Sequence, residues 1–146
     1  MPKEGSLLVY PMSQHIGAPC EPVVAKGDRV LVGQKIAEAG GFVSAPIHAS
    51  VSGTVKDIKP MATPSGAMVK SIIIENDGLY EEDHLLAKTQ ITSLSNEKIL
   101  EKVKEAGIVG LGGAGFPTHV KLNPPKDCKI DTVIVNGAEC EPYLTN

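Results

Sequence analysis

Aromatic residues are scarce in this sequence: of 146 residues none is tryptophan, two are phenylalanine and three are tyrosine. A core must therefore be built from valine, isoleucine, leucine and alanine. Cysteine is scarce too. Cys20, Cys128 and Cys140 are widely separated and odd in number, so they spell neither a disulfide framework nor a Cys-x-x-Cys metal or redox site, and each is expected as a reduced thiol. No apolar run approaches the roughly 18 residues that a membrane span requires; the longest uninterrupted β-type run covers residues 71–75. The opening Met1-Pro2-Lys3-Glu4-Gly5 lacks the apolar segment of a signal peptide. Positive charge is not in excess either: the formal net charge is -3, which removes the electrostatic case for a nucleic-acid partner. These absences predict a soluble chain facing the cytosol, long enough for one domain or two small ones.

What the chain does have is glycine, concentrated in Gly110-Leu111-Gly112-Gly113-Ala114-Gly115-Phe116-Pro117-Thr118. Four glycines in six positions strip the backbone of Cβ atoms, so consecutive N–H groups can turn toward one concave side and approach an anion. Pro117 suits a first helical position, which predicts a short helix over 117–122 whose positive end adds to the anion site. Lys121 then offers a full charge. Gly110, Gly112 and Gly115 also spell G-x-G-x-x-G, but a dinucleotide fingerprint needs a strand in front and a long helix behind. The spelling leaves two readings open, nucleotide binding and a glycine-rich turn that packs tightly.

Upstream, the text up to about residue 77 reads as short strands broken by glycine and proline: apolar runs at 7–10, 22–25, 29–32, 35–39, 53–58 and 68–74, separated by turn signals such as Lys26-Gly27-Asp28 and Gly40-Gly41. Many short strands with regular turns imply a small all-β sandwich or barrel. His15 has no second metal ligand at a recognisable spacing and is expected as a structural turn histidine, as are His48 and His84. His119 follows the glycine loop, where a polar contact to a cofactor is conceivable and solvent exposure is expected. Asn76-Asp77-Gly78 is a turn signal, and the acidic stretch after it is expected to be a solvated linker carrying a partial helical turn.

Ile99, Leu100, Val103 and Ala106 fall at helical spacing over 96–106. Ser95 serves as N-cap, Glu97 suits the first turn, and Gly107 is placed to end the helix left-handed. The apolar stripe is expected to be core. Residues 132–135 read as a buried parallel-sheet strand, followed by Asn136-Gly137-Ala138-Glu139-Cys140-Glu141-Pro142. Glu139 and Glu141, two apart, would face one side of an extended chain; they could serve as a metal or acid/base pair or be plain surface carboxylates.

Two resemblances sharpen these expectations. The phrase from Val24 through Gly27-Asp28-Arg29-Val30 to Ala37, followed by Ser52-Gly53-Thr54-Val55, resembles the barrel-sandwich hybrid of biotinyl and lipoyl carrier domains. Those domains carry their group on a hairpin lysine, but the matching hairpin here, Gly40-Gly41-Phe42-Val43-Ser44, has none. Lys35 and Lys56 are expected as solvated surface charges, so a swinging-arm carrier is rejected.

The glycine stretch, Lys121 and the Asn136 to Pro142 motif together resemble the FMN and NADH site of the flavoprotein subunit of respiratory complex I. They are still more similar to the RnfC component of the Rnf electron transport complex, as is the phrase Gln14-His15-Ile16-Gly17-Ala18-Pro19. This resemblance implies a multi-part α+β chain with a barrel-sandwich hybrid at 1–78, a linker at 79–94, and the truncated start of an α/β FMN/NADH-binding domain at 95–146. It implies that Gly110, Gly112, Gly113, Lys121, Asn136 and Glu139 touch FMN, that Phe116 packs against NADH, and that Glu141 lies at the flavin edge. Leu111 stands where complex I usually has arginine, and Cys140 replaces a serine. No catalytic side chain is implied, because hydride passes directly from NADH to the flavin and single electrons then go to iron-sulfur clusters.

The implied setting is a membrane-bound, ion-pumping NAD:ferredoxin oxidoreductase, with this component peripheral on the cytoplasmic face beside the other Rnf subunits. Clusters of the [4Fe-4S] type need Cys-x-x-Cys-x-x-Cys runs. None occurs, so the chain is expected to be truncated before the cluster domain, inactive alone and weak in binding FMN. Two alternatives stay open: a soluble RnfC-like electron-transfer protein of proline or cobalamin reduction, and a non-catalytic docking module.

Overall fold

The computed structural model describes residues 1–83, 93–111, 113–125 and 127–134. Within them lie seven strands, β1 (Leu7–Pro11), β2 (Glu21–Pro22), β3 (Arg29–Val30), β4 (Lys35–Glu38), β5 (Ile47–His48), β6 (Gly53–Ala62) and β7 (Met68–Asn76), followed by two helices, α1 (Asn96–Glu105) and α2 (Thr118–Lys121). The larger antiparallel sheet has the order β1-β7-β6-β3 and the smaller one β2-β4-β5. β7 is central, and its run Ser71-Ile72-Ile73-Ile74 is buried at every position. That is why the sequence shows a continuous apolar run there instead of alternation. β6 continues through Pro60, which is tolerated because β3 pairs only with Gly53 and Thr54, so the outer edge of β6 needs no N–H at that point.

Between the sheets lies one aliphatic core that includes Met12, Val30, Ile36, Val51, Val55, Ile72 and Ile74, with Tyr10 as its aromatic member. The result is the expected barrel-sandwich hybrid, assembled without tryptophan or phenylalanine. β5 is an element that the strand pattern did not announce, being only two residues long and preceded by a proline.

The turn after β7 is closed by a buried side chain. Asn76 donates its amide to the carbonyls of Pro2 (3.0 Å) and Lys3 (3.1 Å) and accepts from the Gly78 N–H at 3.0 Å. Over residues 79–83 the acidic side chains of Glu81 and Glu82 are exposed, as expected, while the backbone runs along the barrel: the Val32 N–H donates to the Glu81 carbonyl and the Asp83 N–H to the Val32 carbonyl, both at 2.8 Å. Tyr80 packs on the core. The rest of that stretch, with His84, lies outside the described residues. The hairpin at 40–44 is tied down from within, because the Ala18 N–H donates to the Val43 carbonyl at 3.0 Å and the Ser44 hydroxyl to the Ala18 carbonyl at 2.9 Å.

In the second part, Ser95 caps α1 by accepting from the Lys98 N–H at 3.4 Å, and Gly107 follows in the left-handed region with φ 67°. No residue of α1 is fully buried. Ile99, Leu100 and Val103 are half-buried and Ala106 is exposed, so the stripe expected as core is a half-covered face packed on α2. The expected strand is likewise not formed over 132–134, where Val133 and Ile134 are 81% and 88% exposed; Val135 lies outside the described residues. A β-branched run needs a neighbouring strand to pair with, and none is supplied by the described residues. No helix among them is long and apolar enough to cross a membrane.

Candidate functional site

The glycine stretch forms a loop with a closed base. Gly110 N–H donates to the Phe116 carbonyl and Thr118 N–H to the Ile108 carbonyl, both at 3.0 Å, and Val109 and Pro117 pair antiparallel. These bonds revise two expectations. Pro117 sits before the helix as its cap, with ψ 122°, and α2 is a single turn of four residues. Since the Thr118 N–H is committed to the loop base, the helix start adds little to an anion site. Gly110 has likewise spent its own N–H. Anion capacity is left to the loop tip, where the N–H groups of Leu111, Gly113 and Ala114 make no backbone bond to another described residue. Gly113 is left-handed (φ 63°), and a Cβ there would meet nothing within 4 Å.

Lys121 stands beside this loop. Its Nζ is 5.9 Å from the Phe116 ring centroid, at the outer reach of a cation–π contact, and 3.6 Å from where a Cβ on Gly110 would lie. Of the anticipated site residues, Gly110, Gly113, Phe116 and Lys121 are thus brought together. Gly112, Asn136, Glu139 and Glu141 lie outside the described residues.

The loop tip is not free-standing. Ile16 N–H donates to the Ala114 carbonyl at 2.9 Å. Gly115 (φ 63°) is buried against the barrel so closely that a Cβ would come within 3.2 Å of the Gln14 carbonyl oxygen. Between the two parts opens a cleft of about 580 Å³, walled by Gln14, His15 and Ile16 on one side and by 109–111 and 113–115 on the other. These barrel residues were not foreseen as part of the site. The only sequence signal for them was the phrase Gln14 to Pro19, whose chemistry spacing alone does not reveal.

His15 explains that phrase. Its ring is buried, with Nε2 3.1 Å from both the nitrogen and the oxygen of Ala45 and Nδ1 3.1 Å from the Ile16 carbonyl. Cys20 donates its S–H to the Ala45 carbonyl at 3.0 Å. One tautomer satisfies the set: Nδ1–H donates to Ile16, and Nε2 accepts from the Ala45 N–H. Burial pushes the Cys20 thiol up from its ordinary pKa, so it stays protonated and able to donate. Among the described residues no group of His, Cys, Asp and Glu is arranged to hold a metal ion.

A wider seam continues from the cleft. Lys35 bonds Glu105 at 2.7 Å and Glu38 at 2.9 Å, making it an ion-paired residue and not simply a solvated one. The Lys35 ammonium holds the Glu105 carboxyl below its ordinary pKa. A Cβ on Gly107 would meet the Pro46 carbonyl oxygen at 2.4 Å and the His48 ring at 3.2 Å. His119, expected to be exposed, is only 9% exposed. It lies against the Phe42 backbone, and burial lowers its pKa; its Nδ1 has no hydrogen-bond partner among the described residues. Burial lowers the pKa of His48 as well.

With this geometry in place, similarity to known proteins becomes informative. Residues 2–79 match the family described as the RnfC barrel sandwich hybrid domain, and residues 103–146 match the Nuo51 FMN-binding domain. The chain is 51% identical over 144 residues to the C component of the Na(+)-translocating ferredoxin:NAD(+) oxidoreductase complex of Acetobacterium woodii, covering 98% of this chain and 32% of that one. It is 52% identical over 136 residues to the proton-translocating counterpart of Clostridium ljungdahlii, covering 92% and 30%. Over 139 residues it is 47% identical to the C component of the ion-translocating oxidoreductase complex of Pseudomonas aeruginosa, covering 94% and 18%. The chain therefore spans a third or less of the length of these relatives.

Proposed function

Because the chain belongs to the RnfC family, we propose that it is the FMN-proximal part of the electron-input subunit of an ion-translocating NAD:ferredoxin oxidoreductase. The division at 1–78, 79–94 and 95–146 belongs to the same proposal. The observation that carries it is the glycine loop itself: an open tip whose Leu111, Gly113 and Ala114 N–H groups make no backbone bond to another described residue, a left-handed Gly113 with space above it, and Lys121 alongside. These features fit the phosphate end of FMN, where a Cβ-free tip lets the backbone come close and an ammonium supplies the countercharge. When bound, FMN supplies two-electron exchange with a nicotinamide and one-electron exchange with iron-sulfur clusters.

The residues of this chain act by holding and orienting. Gly113 and its neighbours bind through the backbone, Lys121 neutralises charge, and Gly110 closes the loop base. Phe116 offers an apolar face for the nicotinamide side. Gly112, Asn136, Glu139 and Glu141 complete the assignment by position in the motif. No side chain is required as nucleophile or proton donor. Further parts of the proposal are NADH as electron source, [4Fe-4S] clusters elsewhere in the longer protein, and attachment to the other Rnf subunits at the cytoplasmic face of the membrane. The 146 residues alone should hold FMN weakly, since they span a third or less of the length of those relatives.

The test is an FMN titration of the full-length protein, followed by fluorescence, with Lys121→Ala and Glu139→Ala alongside. A charge-assisted contact is worth about 1.5–3 kcal/mol, so Lys121→Ala should weaken binding roughly tenfold or more. Equal affinity in all three proteins would favour a docking module instead.

A further inference from the structure

The barrel does more than precede the cofactor site. Three observations place it against the glycine loop: Gln14, His15 and Ile16 wall the cleft, the Ile16 N–H holds the Ala114 carbonyl at 2.9 Å, and Gly115 seats so close to Gln14 and His15 that a Cβ would come within 3.2 Å of the Gln14 carbonyl oxygen. Ile16 is itself half exposed, at 48%, and belongs to no strand. Its position must come from elsewhere, and the buried ring of His15 supplies it, linking the Ile16 carbonyl to the Ala45 backbone in the core. Cys20 completes that anchor by occupying the Ala45 carbonyl.

We infer that His15 is a positioning residue for the cofactor: through Ile16 and Ala114 it fixes the glycine loop in its phosphate-binding shape. The chemical logic is preorganisation. Four glycines leave a loop with many accessible conformations, and a phosphate would have to select the one in which the tip amides converge. A brace from a rigid sheet performs that selection beforehand. If loss of the brace lowers the competent population to about a tenth, the apparent dissociation constant rises about tenfold.

This inference rests on the FMN reading above, but its test separates the two. In the full-length protein without FMN, amide exchange is followed at Ile16 and at the bonded loop amides Gly110 and Thr118, with the β6–β7 amides as internal reference. FMN affinity is measured on the same samples. His15→Ala should accelerate exchange at Ile16 and in the loop, leave β6–β7 protection intact and weaken FMN binding about tenfold. His15→Gln, which returns an acceptor for the Ala45 N–H, should recover most of both. Gly115→Ala approaches the same seam from the loop side, pressing on the Gln14 carbonyl oxygen and the His15 backbone while leaving the ring's own partners in place, and should likewise loosen Ile16; it decides the matter if His15→Ala does not fold. Unchanged Ile16 and loop exchange in these variants overturns the brace, as does a loosened loop that binds FMN at wild-type strength. If wild-type protein binds no FMN, the cofactor reading fails while the exchange data still judge the brace.

Discussion

The barrel and the segment after it are built on opposite terms. In the barrel, β7 buries four consecutive side chains and one aliphatic cluster joins both sheets. After it, α1 buries none of its residues fully, α2 is a single turn, and Val133 and Ile134 face solvent. The first region holds its shape by removing apolar surface from water. The second takes its shape largely from what it leans on. The glycine loop at Ala114 and Gly115 and the end of α1 lie where barrel residues meet them: Gln14 to Ile16 at one end, Pro46, His48 and Lys35 at the other.

The contrast is most sharply tested by truncating one apolar side chain in each region. Ile74→Ala leaves a cavity among fully packed neighbours and should cost about 2–5 kcal/mol in urea unfolding. Val103→Ala, on a half-covered face, should cost under about 1 kcal/mol. Similar losses at the two positions would show that the second region has a core of its own.

Acid should act on the seam before the barrel. Burial lowers the pKa of His48 and of His119, whose charged surroundings are Lys35, Glu105 and Glu38 for the first and Lys104 for the second. Unfolded histidine titrates near about 6.5, so below that pH the unfolded chain binds more protons and the folded state loses ground. Stability from these two groups is complete above about pH 6.5 and declines as pH falls through that value. Asp57, Asp77, Glu97 and Glu105 all have lowered pKa values, so carboxylate losses come at lower pH. Urea midpoints at about pH 5.5 should fall below those at about pH 7.5, and His119→Asn should reduce the difference. A flat profile between these values refutes the assignment.

The smallest effect is expected at Lys35. Its side chain is 32% exposed and bonds two carboxylates that are about half exposed, an arrangement worth about 1 kcal/mol or less. Lys35→Ala should lower the midpoint slightly at low salt and indistinguishably at high salt. A loss that persists at high salt would mean that the seam depends on this pair more than solvent screening allows.

Most of the barrel was legible because each strand is bounded by a turn residue with its own reason to be there, as Asn76 and Gly78 show. β5 was not, since two residues carry no periodicity. The strand anticipated at 132–135 failed for the complementary reason: β-branched composition records a preference, and a preference needs a partner edge. At the site, the loop, Lys121 and Phe116 were readable because glycine spacing and charge are local properties. The parts played by His15 and His119 were not, because burial is decided by residues far along the chain. His15 looks like any turn histidine until Ala45, thirty positions away, closes on its ring.

Asn76 has a practical bearing on how this protein is handled. Its amide grips the carbonyls of Pro2 and Lys3, and the Gly5 N–H donates to the Asn76 carbonyl at 2.8 Å, so the leading residues are bolted to the end of the central strand. A purification tag fused directly ahead of Met1 would therefore tug on the barrel itself, and a flexible spacer there is the prudent choice.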